Sequence, residues 1–257
     1  MHKLADRAYG LLRPQQVHLY DDLQRLFADL IPRGVLAFDI GTNVGTYANA
    51  LHSLGVSVVA VDANADCLRH LELMRASHEI QIVHAAVGNS TGLATFNMSD
   101  QSDGISAIPT EWLEALNKHY GRSKQIWNRT ATVPMITIDS LVAHFGAPYY
   151  IKIDIEGYDS FALDGLSTQP ALLSFEFHRV CLQNAFDCLD KPVIAPGSRF
   201  NIHMDGPKFL FPQWVSKEDL KKTLQGFSAE TYGDIYVGAP RQGVGDSDQS
   251  LYAVTAA

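Results

Sequence analysis

The run Val35-Leu36-Ala37-Phe38-Asp39-Ile40-Gly41-Thr42-Asn43-Val44-Gly45 passes from apolar residues, through an acid, into a glycine-bracketed turn. It reads as a buried strand, a tight loop and the start of a helix. Such a crossover sets backbone N–H groups and a helix N-terminus at the carboxyl edge of a parallel sheet, where a small ligand can approach the main chain. Two phosphate-binding loops are excluded by spacing. A dinucleotide fingerprint needs a middle glycine where Asn43 stands, and a nucleotide-hydrolase loop needs Lys-Ser or Lys-Thr after its second glycine. The loop therefore suits a ligand without phosphates. Ser57-Val58-Val59-Ala60-Val61-Asp62 reads as the next strand, and a carboxylate at its tip can accept both hydroxyls of a ribose. An adenosine with a cationic tail fits both observations, with loop and helix capping as the competing roles for Asp39 and Asp62.

Working outward, Ile80–Val87 reads as one third strand, and Thr46–Leu54 and Cys67–Ala76 as the crossover helices between the three. Strand, helix, strand, helix, strand at this spacing demands parallel pairing with right-handed crossovers. On the N-terminal side, Val17, Leu19, Tyr20, Leu23, Leu26, Phe27, Leu30 and Ile31 recur at three and four, as in an amphipathic helix, which Pro32 and Gly34 end. Packing against the sheet is its expected role, with a lid or dimer contact as the alternative.

On the C-terminal side, Gly92–Met98 reads as an added strand and residues 99–132 as an insertion holding a helical piece near Thr110–Tyr120, assigned to substrate recognition and partial closure. Ile138–Leu141 opens a short helix ending at Gly146. Tyr149–Ile155 and Ala171–His178 then read as neighbouring parallel strands. Alternation puts Lys152, Asp154 and Glu156 on one face of the first, and Ser174, Glu176 and His178 on one face of the second. The two charged rows converge where open α/β sheets bind ligands, unless Lys152 and Glu176 are simply a buried ion pair. Beyond them, Val180–Leu189 and a helix capped at Ser216 precede strands at Glu230–Val237 and Ser250–Val254, which should pair as an antiparallel hairpin.

The motifs D-I-G-T-N-V-G and V-D-A-N resemble the cofactor-binding half of class I S-adenosylmethionine-dependent methyltransferases. More narrowly, His84-Ala85-Ala86-Val87-Gly88, Ile138-Asp139-Ser140-Leu141 and Tyr150-Ile151-Lys152-Ile153-Asp154-Ile155-Glu156-Gly157 make the chain similar to the FkbM family of O-methyltransferases. The likeness covers about residues 35–178; it departs at Asp62-Ala63-Asn64, where many members carry Glu-Pro. It implies an α/β, Rossmann-like fold with a mainly parallel seven-stranded sheet and an antiparallel C-terminal hairpin. Residues 1–34 would then be an N-terminal helical extension, and 35–257 the methyltransferase domain with its insertion at about 99–132.

The function implied is transfer of a methyl group from S-adenosylmethionine to a hydroxyl of a small molecule or glycoside. N- or C-methylation, and a catalytically silent binding protein that retained the fold, are the alternatives. The cofactor residues would be Asp39, Gly41, Asn43, Gly45, Asp62, Ala63, Ala86, Val87 and Asp154. Ala85 and Ala86 would leave room for adenine, and Val87 would pack on it. His178 and Asp154 are the candidate acid–base residues, since the acceptor must be aligned and lose its proton. Asp154, Glu176 and His178 also offer oxygen and nitrogen ligands for a divalent ion such as magnesium; Lys152 opposes one.

Composition narrows the partners. Apolar residues at 46% and charged ones at 19% describe an ordinary folding domain of 257 residues. The net charge of −8, without a basic stripe, opposes binding to phosphate backbones, so nucleic acid is a poor partner. No apolar run reaches the ~20 residues of a membrane span. The start of the chain lacks a secretory pattern, so a cytoplasmic protein is expected. Cys67, Cys181 and Cys188 show no paired spacing and read as free thiols. Self-association is open.

Overall fold

Alternation along Leu36–Ile40 (β1) sends Phe38 and Ile40 into one apolar cluster and Ala37 into another, so both faces of this strand are covered. The same division recurs in Ser57–Asp62 (β2), where Val59 and Val61 face one cluster and Val58 and Ala60 the other. A strand buried on both faces belongs inside a sheet layered by helices. The computed structural model describes residues 14–67, 80–98 and 129–239, together with positions 72, 118 and 119.

Helix α1 (Pro14–Ala28) and helix α2 (Thr46–Ser53) cover one face. Leu23 and Phe27 of α1 are buried there, and the Phe27 ring lies 5.6 Å from that of Tyr150. The amphipathic N-terminal helix thus packs against the sheet. The other face is covered by α3 (Ile138–Phe145), α4 (Asp159–Asp164), α5 (Leu182–Leu189) and α6 (Lys217–Gly226). Thr137 caps α3 by accepting the Ser140 N–H at 3.1 Å, and Ser216 caps α6 by accepting that of Asp219 at 3.1 Å.

The remaining strands are β3 (Gln81–His84), β4 (Ala86–Val87), β5 (Gly92–Met98), β6 (Arg129–Ile136), β7 (Tyr150–Ile153), β8 (Leu172–His178), β9 (Arg199–His203) and β10 (Tyr232–Gly238). The main sheet has seven strands in the order β3-β2-β1-β7-β8-β10-β9. The first five are parallel; β10 runs antiparallel to both β8 and β9. The expected α/β, mainly parallel seven-stranded sheet with antiparallel C-terminal strands is therefore present.

Four details differ from the sequence reading. The third strand is two: Ala85 is still held to β2 by a 3.0 Å bond from its N–H to the Asp62 carbonyl, after which Ala86 and Val87 leave to pair with β6 in a second sheet, β4-β6-β5. The end of the expected insertion is also strand, since β6 begins at Arg129 and pairs antiparallel with all of β5. Strand β7 stops at Ile153, and the chain then turns through Glu156 and Gly157 with φ of 55° and 84°. Strict alternation does not reach Glu156. Finally, the antiparallel partner of β10 on its outer side is β9, from the proline-, glycine- and polar-rich stretch between Leu189 and Ser216 where no strand is expected; the expected strand at 250–254 lies outside the described residues. The helices expected at Cys67–Ala76 and Thr110–Tyr120 lie largely outside them too.

Candidate active site

The carboxyl ends of β1, β2, β7 and β8 open on one cleft, the kind of concave setting at a sheet edge in which small-molecule sites occur. One end is lined by Gly41, Asn43, Asp62 and Ala63, with Ala86, Val87 and Phe96 beside them. The other is lined by Asp154, Ile155, Glu156, Tyr158 and Glu176.

The first end is built by main chain. Asp62 Oδ2 accepts the Asn43 N–H and Oδ1 the Asn64 N–H, each at 2.7 Å, so this carboxylate is fixed in place yet keeps lone pairs for a ligand. Burial raises the Asp62 pKa, against those two bonds. The loop before it is set by the Gly41 and Thr42 N–H groups donating to the Val61 carbonyl at 2.8 and 3.1 Å. Gly41, at φ 78°, has a second constraint: a Cβ here would stand 1.8 Å from the Asp154 carbonyl oxygen. The glycine is needed to let β7 close against the loop, rather than only to admit a ligand.

Asp39 and Gly45 are not among the residues lining the cleft. Gly45, at φ 82°, is the N-cap of α2. Asp39 is wholly buried, accepts the Thr42 hydroxyl at 2.7 Å and lies 4.0 Å from Lys152 Nζ. Both support the loop from behind.

Lys152 is the hub of a buried polar row. Its ammonium donates to Asp154 Oδ2 at 2.9 Å and sits 4.4 Å from the centre of the Tyr47 ring, while the Tyr47 hydroxyl donates to Asp234 Oδ2 at 2.7 Å. Burial alone would depress the lysine pKa, but the charges of Asp154, Asp39 and Asp234 hold it above the ordinary value. The competing reading, a Lys152–Glu176 pair, is not realised: Lys152 stands opposite Ser174 in the register and pairs with Asp154.

At the acidic end, Glu176 Oε1 lies 3.1 Å from His178 Nε2, and Oε2 is buried with no hydrogen-bond partner among the described residues. Burial, then the charges of Asp154, Asp159 and Asp234, push the Glu176 carboxyl well above its usual range. Glu156 is displaced in the same direction, first by burial and then by the charge of Glu176. The His178 ring stacks on Tyr232 with centroids 5.4 Å apart and is not among the lining residues.

Of the residues expected at the site, the structure thus brings Gly41, Asn43, Asp62, Ala63, Ala86, Val87, Asp154 and Glu176 to one cleft, and leaves Asp39, Gly45 and His178 behind it. The metal set Asp154, Glu176 and His178 is not assembled: no group of three or more His, Cys, Asp or Glu among the described residues is placed to hold an ion. Lys152 already engages the Asp154 carboxylate. Phe96 and Tyr158 were not expected as lining residues, and Glu156, placed by alternation in the charged row, is among them. Tyr158 and Glu156 follow the Lys152-Ile153-Asp154 run directly, so the end of a central parallel strand was the available signal.

S-adenosylmethionine fits this lining. Its ribose would meet the lone pairs of Asp62, its adenine the small apolar patch at Ala86, Val87 and Phe96, and its cationic tail the carboxylate of Asp154.

Comparisons with known proteins bear on the family. Among solved structures, the precorrin-6y C5,15-methyltransferase of Geobacter metallireducens GS-15 is 11% identical over 89% of this chain and 90% of its own, with a TM-score of 0.41. A ribosomal protein L11 methylase from Lactobacillus delbrueckii subsp. bulgaricus is 13% identical over 87% and 80%, at 0.42. The 16S rRNA N2 G1207 methyltransferase of T. thermophilus is 12% identical over 90% of this chain and 44% of its own, also at 0.42. These distant likenesses carry no argument about the acceptor. A search of curated proteins found no match. A family model described as the methyltransferase FkbM domain matches residues 39–190, more than half of the chain and the whole span from the tip of β1 to the end of α5. The chain belongs to the FkbM family of S-adenosylmethionine-dependent methyltransferases.

Proposed function

We propose that the methyl group is transferred to a hydroxyl oxygen of a small molecule or glycoside. The observation that supports this is the acidic wall formed by Asp154, Glu156 and Glu176 at one end of the cleft. Carboxylates bind hydroxyl donors and take protons from them. When bound, S-adenosylmethionine supplies an activated methyl group on a sulfonium. The protein has to hold the acceptor in line and remove its proton.

In this reading Asp62 binds the ribose, and Asn43, Ala63, Ala86 and Val87 complete the cofactor end. Asp39 and Gly45 act indirectly, by fixing the loop. Asp154, oriented by Lys152, grips the acceptor hydroxyl. His178 acts on the acceptor through Glu176. A reducing, cytoplasmic setting goes with this reading, supported by three free cysteines. No helix among the described residues is long and apolar enough to cross a membrane.

The test is calorimetric titration with S-adenosylhomocysteine, followed by turnover on a panel of hydroxylated metabolites, glycosides, amines and RNA. Binding together with methylation of a hydroxyl compound is expected. Exclusive methylation of amines or RNA would overturn the choice of acceptor, and no heat with S-adenosylhomocysteine would overturn the site itself.

A further inference from the structure

The cleft has one wall whose chemistry the cofactor does not account for. Glu176 Oε2 is buried without a hydrogen bond among the described residues, although its side chain lines the cleft and its other oxygen is held by His178. A buried carboxylate oxygen left unpaired is costly, and such oxygens are normally satisfied by a partner. Beside it, Glu156 adopts φ 55°, a left-handed conformation that a side chain bearing Cβ rarely takes. Asn43, at φ 50°, is the other non-glycine residue with positive φ among the described residues, and it lines the same cleft. Asparagine takes this conformation readily; glutamate takes it rarely. Glycine follows at 157, so the turn had a residue suited to it one position away.

We infer that Glu156 and Glu176 form a carboxyl pair that receives the acceptor, Glu176 being the base that takes the hydroxyl proton and Glu156 the neighbour that binds the same or an adjacent hydroxyl. This deepens the hydroxyl-acceptor reading and rests on it. As transfer proceeds, the acceptor O–H bond breaks and its proton passes to Glu176 Oε2, while the acceptor oxygen bonds the methyl carbon. The electron pair of the breaking carbon–sulfur bond stays on sulfur. Two carboxyls on one wall do not both ionise readily, and Asp154, Asp159 and Asp234 add to that repulsion, with Lys152 opposing it. The wall therefore holds a proton donor for one acceptor lone pair beside an acceptor for one O–H, which suits an alcohol or a vicinal diol. His178 is a positioning residue: it holds Oε1 and so aims Oε2.

Glu176→Gln, Glu156→Gln and Glu156→Gly test this. Infrared spectra at neutral pH, taken as wild type minus variant, should show that each Gln variant loses protonated-carboxyl absorption; identical spectra would overturn the pair without any acceptor being needed. S-adenosylhomocysteine should bind all three variants within about twofold of wild type, which separates failure of this inference from failure of the cofactor site. With the best acceptor of the panel, Glu176→Gln should lower kcat by roughly 10²–10⁴-fold, the usual worth of a positioned base. Glu156→Gly should melt at a higher temperature than wild type, the strain being relieved, yet turn over at least tenfold more slowly. A higher melting temperature with full activity would show that Glu156 serves only the turn. For His178→Gln, the acid limb of the kcat–pH profile should move to higher pH, because a bond favouring the Glu176 carboxylate is weakened; an unmoved limb would remove the positioning role.

Discussion

Asp62 and Glu176 are both acids at strand tips and both line one cleft, but they are held in opposite ways. Each oxygen of Asp62 accepts a backbone N–H at 2.7 Å. Glu176 has one oxygen on a histidine and the other unpaired. Main-chain bonds cannot be changed by substituting a neighbour, so the Asp62 end is rigid and suited to a ligand that never varies. At the Glu176 end the groups are side chains, acids crowded on acids, with proton affinities raised well above the usual carboxylate range by burial and by one another's charge. Under the proposed function, the end that receives the cofactor is fixed by main chain, while the end that receives the acceptor is built of side chains.

The sharpest way to break this contrast is at Lys152, the buried cation on which the acidic row depends. Lys152→Met leaves Asp39, Asp154 and Asp234 without their neutralising charge and should cost about 3–5 kcal/mol in urea unfolding. Gly41→Ala attacks the joint between the two ends. Its methyl would overlap the Asp154 carbonyl and sit at φ 78°, so a loss of about 2–3 kcal/mol is expected, with weaker S-adenosylhomocysteine binding in the same variant. If Gly41→Ala is as stable as the parent, the two ends are not coupled there.

Asp62→Ala addresses the fixed end alone. It should weaken S-adenosylhomocysteine binding by about 1–3 kcal/mol in calorimetry, the loss of a charged hydrogen-bond acceptor. Unchanged affinity would make Asp62 only a cap for the Asn43 and Asn64 amides.

Asp159, fully buried in the first turn of α4, sharpens the electrostatic half of the comparison. Burial, then the charge of Asp154, pushes its pKa up to about 7. The folded state therefore holds a proton that the unfolded chain releases near pH 4. The resulting stabilisation is complete below about pH 4 and is lost as pH rises through about 7. Asp159→Asn removes that dependence, so its stability relative to the parent should rise between about pH 5 and pH 8, measured by urea midpoints. A difference that stays flat over this range would show that Asp159 is already ionised. The smallest expected effect is none at all: turnover of an accepted hydroxyl compound should survive exhaustive EDTA dialysis, since Lys152 occupies the carboxylate that a cation would need. Loss of activity, restored by magnesium, would return the metal to the acidic end.

The sequence by itself determined the parallel elements in chain order and the glycine-bracketed loop between the first strand and its helix. Val35 to Gly45 and Ser57 to Asp62 are short-range patterns: a buried strand, a turn that needs glycine, and an acid at the tip are all written within a few residues of one another. The loop's lack of a middle glycine was enough to turn the reading away from phosphates. Strand β9 was also legible in principle, since Arg199-Phe200-Asn201-Ile202-His203 alternates, but two apolar residues among prolines and glycines are a weak signal.

Only the tertiary structure decided the rest. That Ala85 ends one sheet and Ala86 enters another depends on β6, whose pairing comes from residues more than forty positions away. That Lys152 bonds Asp154 rather than Glu176 depends on a register that places it opposite Ser174. His178 and Asp39 looked equivalent to their neighbours by alternation, yet a strand face does not say how deep a side chain lies or what covers it. Alternation set Glu156 in the charged row by extending the pleat too far, because β7 ends at Ile153 and a left-handed turn carries its side chain to the cleft. Local patterns fix which residues can form a strand and its tip; which acids meet across the tips, and which stay unpaired, is set by long-range packing.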